Sequence, residues 1–182
     1  SKNKVKIKDL KKIKIEDALV KILSSPNHSN KSWITDQYDQ VVMCDTVQKS
    51  GGDAAVVRIH NKNKAVAISV DSSANYCNVD PKTGGKQIVC ENWRNLISVG
   101  AKPLAITNCL NFGSPEKPKV MGEFVGCIEG MKEACEYLNF PVVSGNVSFY
   151  NETNSKSIFP TPVIGGIGLI ENLNKNINIK IK

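Results

Sequence analysis

Apolar residues recur at helical spacing over residues 15–25, where Ala18, Leu19, Ile22 and Leu23 share one side and Pro26 ends the run. Residues 37–46 carry three successive apolar positions, Val41, Val42 and Met43, and these predict a strand. A Gly51-Gly52-Asp53 turn then leads into AAVVRIH and KAVAISVD, two β-rich runs separated by polar Asn61-Lys62-Asn63. That arrangement predicts a hairpin. Residues 71–85, rich in Ser, Asn, Asp, Pro and Gly, read as a loop. A helix is expected over residues 86–99, closed by Gly100 and Pro103. PLAITNCLNFG follows as a strand running into polar residues.

The longest helical pattern covers residues 116–138, with Phe124, Cys127, Ile128, Met131, Cys135 and Leu138 on one side. FPVVSGNVSFYNE is a second apolar strand with a polar end. Residues 161–170 form a third, interrupted by Gly165, Gly166 and Gly168. A hairpin followed by alternating helix and strand predicts an α/β (α+β) domain, with a mixed sheet and helices packed on it. No internal repeat is present.

Composition narrows the class. The chain has 182 residues, 41% hydrophobic and 23% charged, as in an ordinary globular domain. No run approaches the length of a membrane span, and no signal sequence precedes the body, so a cytoplasmic protein without a membrane partner is expected. The lack of an initial Met suggests an excised or processed segment. We divide the chain into a lysine-rich tail (residues 1–14), one domain (15–172), and a tail or linker start towards an absent C-terminal domain (173–182). The net charge of +7 sits in the tails: seven Lys against Asp9 in the first, and Lys175, Lys180 and Lys182 in the last. The body between is slightly acidic and has only Arg58 and Arg94, which argues against a nucleic-acid partner.

Candidate chemistry is sparse. Six cysteines without a C-x-x-C pair, and two histidines (His28, His60), do not make a zinc site. They read as reduced, mostly buried residues, with Cys127 and Cys135 on one helix face. No G-x-S-x-G is present, and spacing alone does not join a Cys to a His. Acids near possible loops are Asp45, Asp53, Asp71, Asp80 and Glu152; Asp53 and Asp71 bracket the hairpin and suit a turn as well as a metal. Two strand ends stand out, NCLNFG at residues 108–113 and SGNVS at 144–148. Small residues beside Asn and Ser there let backbone N–H groups approach a phosphate, although SGN is also ordinary turn chemistry. GGIGLI lacks the following Lys-Ser/Thr of a phosphate loop and reads as a closely packed strand.

Longer strings are more specific. QYDQVV, GGDAAVVRI, YCNVDPKTGGK, ENWRNLISVGAKPLAITNCLNFGSPEKP, PVVSGNVSFYNET and FPTPVIGGIGLIE occur in this order. Together they resemble the synthetase component of phosphoribosylformylglycinamidine synthase, in the first domain of its second half, over residues 15–172. The resemblance implies an aminoimidazole ribonucleotide synthetase-like N-terminal-type fold that pairs through its hairpin. It implies ATP contacts at Asn108 and Gly145, a Mg²⁺ ligand at Asn146, and a formylglycinamide ribonucleotide contact at Ser148. The implied reaction is that of a carbon–nitrogen ligase. ATP phosphorylates the substrate amide oxygen, and ammonia from glutamine displaces phosphate. Partners implied are the first half of the same enzyme and a glutaminase.

Departures matter. Many relatives carry Asp at the position of Asn108. The loop Ser72–Tyr76 lacks the usual Gly/Pro-Arg and is given no ligand. The family's catalytic His and most of its Mg²⁺-binding acids belong to the first half. No catalytic residue is therefore expected here, and the chain alone should be inactive and should form a homodimer. The alternative is a non-catalytic scaffold with an unused nucleotide cleft.

Overall fold

The computed structural model describes residues 13–38, 40–49 and 51–178. The first expected tail therefore falls almost wholly outside the described residues, and the second does so only from residue 179 on. In chain order, the helices are α1 (Ile15–Leu23), α2 (Ser32–Thr35), α3 (Ala74–Val79), α4 (Pro81–Ser98) and α5 (Pro118–Leu138). The strands are β1 (Thr46–Gln48), β2 (Ala55–Arg58), β3 (Ala65–Ser72), β4 (Lys102–Asn111), β5 (Val142–Ser148), β6 (Glu152–Thr153), β7 (Lys156–Ser157) and β8 (Thr161–Ile170). Six of them form one mixed sheet in the order β1-β2-β3-β8-β4-β5, with β4 and β5 parallel and the other neighbours antiparallel. This is the mixed α/β architecture that the pattern predicts.

Two local expectations fail. Val42–Cys44 form a single 3₁₀ turn, with Met43 and Cys44 at φ 58° and 55°, and the strand begins only at Thr46. Val41, Val42 and Met43 are exposed, so apolar composition without alternation was the misleading signal. Residues 71–85 hold the end of β3, all of α3 and the start of α4. Their loop-like residues are helix-start and packing chemistry instead. Asp80 accepts a hydrogen bond from the Thr83 N–H (3.1 Å), and Pro81 occupies the first turn. Gly84 sits against Cys77, where a Cβ would lie 2.6 Å from its backbone N, and Gly85 lies equally close to the Cys127 carbonyl. These glycines let α3, α4 and α5 touch.

The core lies between the helices and one face of the sheet. Ala65, Ala67, Ile106, Leu110, Ile164 and Ile170 meet Ile88, Val89, Leu96, Cys127 and Met131. Each large apolar side chain buried here contributes on the order of 1.5–3 kcal/mol. All six cysteines are free thiols; Cys77 and Cys127 are buried, and contact with Cys77 together with burial pushes the Cys127 thiol up.

One polar cluster joins α4 to the sheet. Asn92 is fully buried, and its Nδ2 donates to Ser69 O (3.0 Å), Asp71 Oδ2 (2.8 Å) and Ile164 O (3.4 Å). Asn95 donates to Asp71 Oδ1 at 2.8 Å, and Ser69 Oγ donates to Asp71 Oδ2 at 2.6 Å. Asp71 is thus occupied in holding the helix. At the other end of the sheet, buried Asp45 accepts from His60 Nδ1 and Arg58 Nε, each at 2.8 Å, which fastens the segment before β1 to the hairpin. These hydrogen bonds, His60 first and then Arg58, hold the Asp45 carboxyl below its ordinary range.

Among the described residues, no helix packs on the other face of the sheet. Val57, Ile68, Val70 and Ile167 lie on it and are exposed by 40, 42, 68 and 43%. α1 also buries none of its residues.

Candidate functional site

The carboxyl ends of the two parallel strands lie side by side. Register places Asn108 beside Gly145, Cys109 beside Asn146, Leu110 beside Val147 and Asn111 beside Ser148. In open α/β sheets, ligand crevices form outside such ends. All four residues implied by the motifs therefore share one rim, on two faces. Asn108 and Gly145 lie on the helix side with Leu110, Val147 and Phe124, around an open hollow of about 530 Å³. Asn146 and Ser148 alternate to the uncovered side, as does Ser144, whose hydroxyl donates to Thr107 Oγ1 at 2.8 Å; Ser144 and Asn146 also border the hollow, because β5 is the outermost strand. Val147 points towards the helix layer but stays 48% exposed, because β5 is the outermost strand.

Gly145 has a clear reason to be glycine. A Cβ there would overlap Asn108 Oδ1 and lie 2.8 Å from the Asn108 carbonyl oxygen. Asn146 is exposed and paired within the strand, not folded into a turn. That removes the ordinary-turn reading of SGN.

Beyond the strand ends, the loops of LNFGSPEKP and SGNVSFYNET bind each other. Phe112 N–H donates to Ser148 O (3.0 Å), Tyr150 N–H to Gly113 O (3.1 Å), and Asn151 N–H to Phe112 O (3.1 Å). Glu152 Oε1 accepts from Ser114 N–H (2.8 Å), Lys117 Nζ (2.8 Å) and Ser157 Oγ (2.6 Å), and Oε2 also accepts from Lys117 (2.8 Å). Hydrogen bonds from Lys117, Ser157 and Ser114 lower the Glu152 carboxyl to about 2. Aromatic edges add support: Phe124 of α5 stands 5.2 Å from both Phe112 and Phe149 between ring centroids. Sequence reasoning named Glu152 only as a nearby acid and missed Lys117 and Asn151. The signal available was the joint occurrence of the two strings.

A second hollow, about 370 Å³, lies between the start of α4 and α5 beside Asp80, Lys82, Gly122 and Glu123. None of the four motif residues lines it. Among the described residues, no cluster of three or more His, Cys, Asp or Glu side chains is arranged to hold a metal.

The model of the family described as AIR synthase related protein, N-terminal domain, matches residues 51–170. The chain belongs to this family. The AIR synthase-type region holds both long helices and every strand from β2 to β8. Phosphoribosylformylglycinamidine synthase subunit PurL from Pelagibacter ubique is 62% identical over 179 residues, covering 98% of this chain and 24% of that protein. Thermotoga maritima PurL complexed with ATP superimposes with a TM-score of 0.73 at 38% identity, over 84% of this chain and 25% of that one. The same protein complexed with FGAR gives 0.72 at 38% identity, over 85% and 25%. The resemblance carried by the motifs of this AIR synthase-type chain is thereby met. The chain spans about a quarter of the length of the relatives it matches.

Proposed function

We propose that this domain forms one wall of the synthetase site of a phosphoribosylformylglycinamidine synthase, which converts formylglycinamide ribonucleotide to the amidine using ATP and glutamine. The observation that carries the reading is the rim of β4 and β5, where Gly145 is pressed against Asn108 and Asn146 and Ser148 emerge on the other face. It occurs in a chain similar to Thermotoga PurL, a protein solved with ATP and with FGAR.

In this reading, Gly145 lets phosphate approach the strand backbone and Asn108 offers its amide to the nucleotide. Ser148 presents a hydroxyl to the ribonucleotide. Asn146 offers one neutral oxygen, which suits Mg²⁺ arriving with ATP, since that ion keeps waters and phosphate oxygens as most of its ligands. When bound, Mg²⁺ neutralises charge on the transferred phosphoryl oxygens. The chain's own contribution is positioning and fixed dipoles. Glu152 is a poor general base, because its carboxylate is engaged by Lys117, Ser157 and Ser114. The catalytic acids and bases, and the ammonia from a glutaminase, come from elsewhere in the enzyme, in a cytoplasmic setting. The uncovered apolar face of the sheet suits the first half of the same enzyme, or a second copy when the domain is isolated.

Calorimetric titration of the chain with ATP, with and without Mg²⁺, tests this reading. We expect Mg²⁺-dependent heat from the wild type and its loss in Asn146→Ala, with the melting temperature of that variant unchanged. Supplied with substrate, ATP and ammonia, the chain alone should produce no amidine. Absence of Mg²⁺-dependent nucleotide binding by the wild type would favour the scaffold reading.

A further inference from the structure

We infer that Asn151 is a positioning residue for Ser148, and that the Glu152–Lys117 pair locks Asn151 in place. The inference rests on the proposed role of Ser148 towards the ribonucleotide. Asn151 stands three residues past Ser148, yet its side chain turns back on it. Nδ2 donates to Ser148 O (2.9 Å), Ser148 Oγ (3.1 Å) and Phe112 O (3.0 Å), while the Ser148 hydroxyl donates to Asn151 Oδ1 (3.4 Å). One amide thus closes the strand end, joins it to the loop after β4, and fixes the rotamer of the serine hydroxyl. A hydroxyl rotates freely unless something holds it. The Ser148 hydroxyl therefore accepts from Nδ2 and donates to Oδ1, so both of its hydrogen-bonding directions are set by the Asn151 amide.

The turn carrying Asn151 is itself constrained. Tyr150 has φ 60°, so the chain reverses sharply just before Asn151. Its neighbour Glu152 is gripped by Ser114 and Lys117 of the loop after β4 and by Ser157 of β7. Asn154 and Ser155 then adopt φ 50° and 59° in the tight turn between β6 and β7. The Lys117 ammonium reaches this turn as well, at Ser155 O (3.1 Å). Glu152 therefore anchors both loops, and Asn151 converts that anchorage into the orientation of one hydroxyl. The co-occurrence of LNFGSPEKP with SGNVSFYNET follows, since each string supplies half of the clasp.

The test is a mutant cycle in the full-length synthetase, read as KM for formylglycinamide ribonucleotide and for ATP separately. Asn151→Ala should raise the ribonucleotide KM about tenfold, as expected from an interaction of roughly one hydrogen bond, and leave the ATP KM unchanged. Glu152→Gln keeps the shape of the clasp and should fold even where Asn151→Ala does not. It should move the same KM in the same direction by about two- to fivefold. Both effects should disappear in a Ser148→Ala background. A purely structural role would reduce active enzyme, and hence apparent kcat, without moving KM. Unchanged ribonucleotide KM in Glu152→Gln, or effects that simply add to those of Ser148→Ala, would overturn the inference. An unchanged KM in Ser148→Ala alone would instead overturn the assignment of Ser148 on which it rests.

Discussion

Gly145 lies directly beside Asn108 on parallel strands, so close that a Cβ on the glycine would overlap the asparagine amide oxygen. Any side chain at Gly145 must push Asn108 out of the rim or separate the strands. Gly145→Ala should therefore weaken ATP binding by about tenfold or more. Because β5 is an outermost strand with space on one side, melting should change little. Titration calorimetry and thermal melting on the one variant check both statements.

A second glycine predicts the opposite outcome. Gly166 of β8 sits under Asn92, and a Cβ there would overlap Asn92 Oδ1 and stand 2.8 Å from Asn92 Cγ. Asn92 is fully buried and bonded to Ser69, Asp71 and Ile164, so it has nowhere to go. Gly166→Ala should cost about 1–3 kcal/mol, the range for forced overpacking, read as a lower denaturation midpoint. Nucleotide affinity of the folded fraction should match the wild type.

These two glycines show what the chain made legible and what it hid. Both long helices followed from helical spacing, and β2, β3, β4, β5 and β8 from apolar or β-rich runs, whereas the same kind of run at residues 41–43 did not form a strand. The site residues came from strings, since Asn and Ser at a strand end have no periodic signature. The helical start at Asp80-Pro81 was missed because Asp, Pro and Gly serve turns and helix N-termini alike. The clasp was missed for a different reason. Lys117 and Glu152 are 35 positions apart, and no local rule pairs a lysine with a glutamate across two loops.

Glu152 also predicts a pH dependence. Its carboxyl is held at about 2, below its ordinary value of 4.5. A lowered folded-state value means stability that is fully present above the ordinary value and lost as pH falls towards the folded one. Glu152→Gln has no such titration. The melting temperature of the wild type should therefore exceed that of Glu152→Gln at pH 5 and above, and the gap should close as pH falls from about 4.5 to about 2. A gap of constant size across that range would show that the ion pair with Lys117 contributes nothing.

The uncovered sheet face carries the last prediction. Ile68 of β3 is paired in register with Ala55 of β2 and with Ile167 of β8, and Val57 is paired with Val66. Val57, Ile68 and Ile167 remain 40, 42 and 43% exposed, an apolar strip that crosses β2, β3 and β8 on one face. Both edges of the hairpin are already paired, β2 with β1 and β3 with β8, so association through the hairpin runs face to face. Such a strip requires a partner or a second copy, and a two-fold arrangement covers it with itself. Sedimentation of the isolated chain at concentrations on the order of tens of micromolar should show a dimer, with dissociation following mass action. Ile68→Lys and Val57→Lys place a charge in the strip without touching the buried face, so each should yield a folded monomer of near-wild-type melting temperature. A wild-type chain that sediments only as monomer, or a dimer indifferent to both lysines, would rule out pairing through this face.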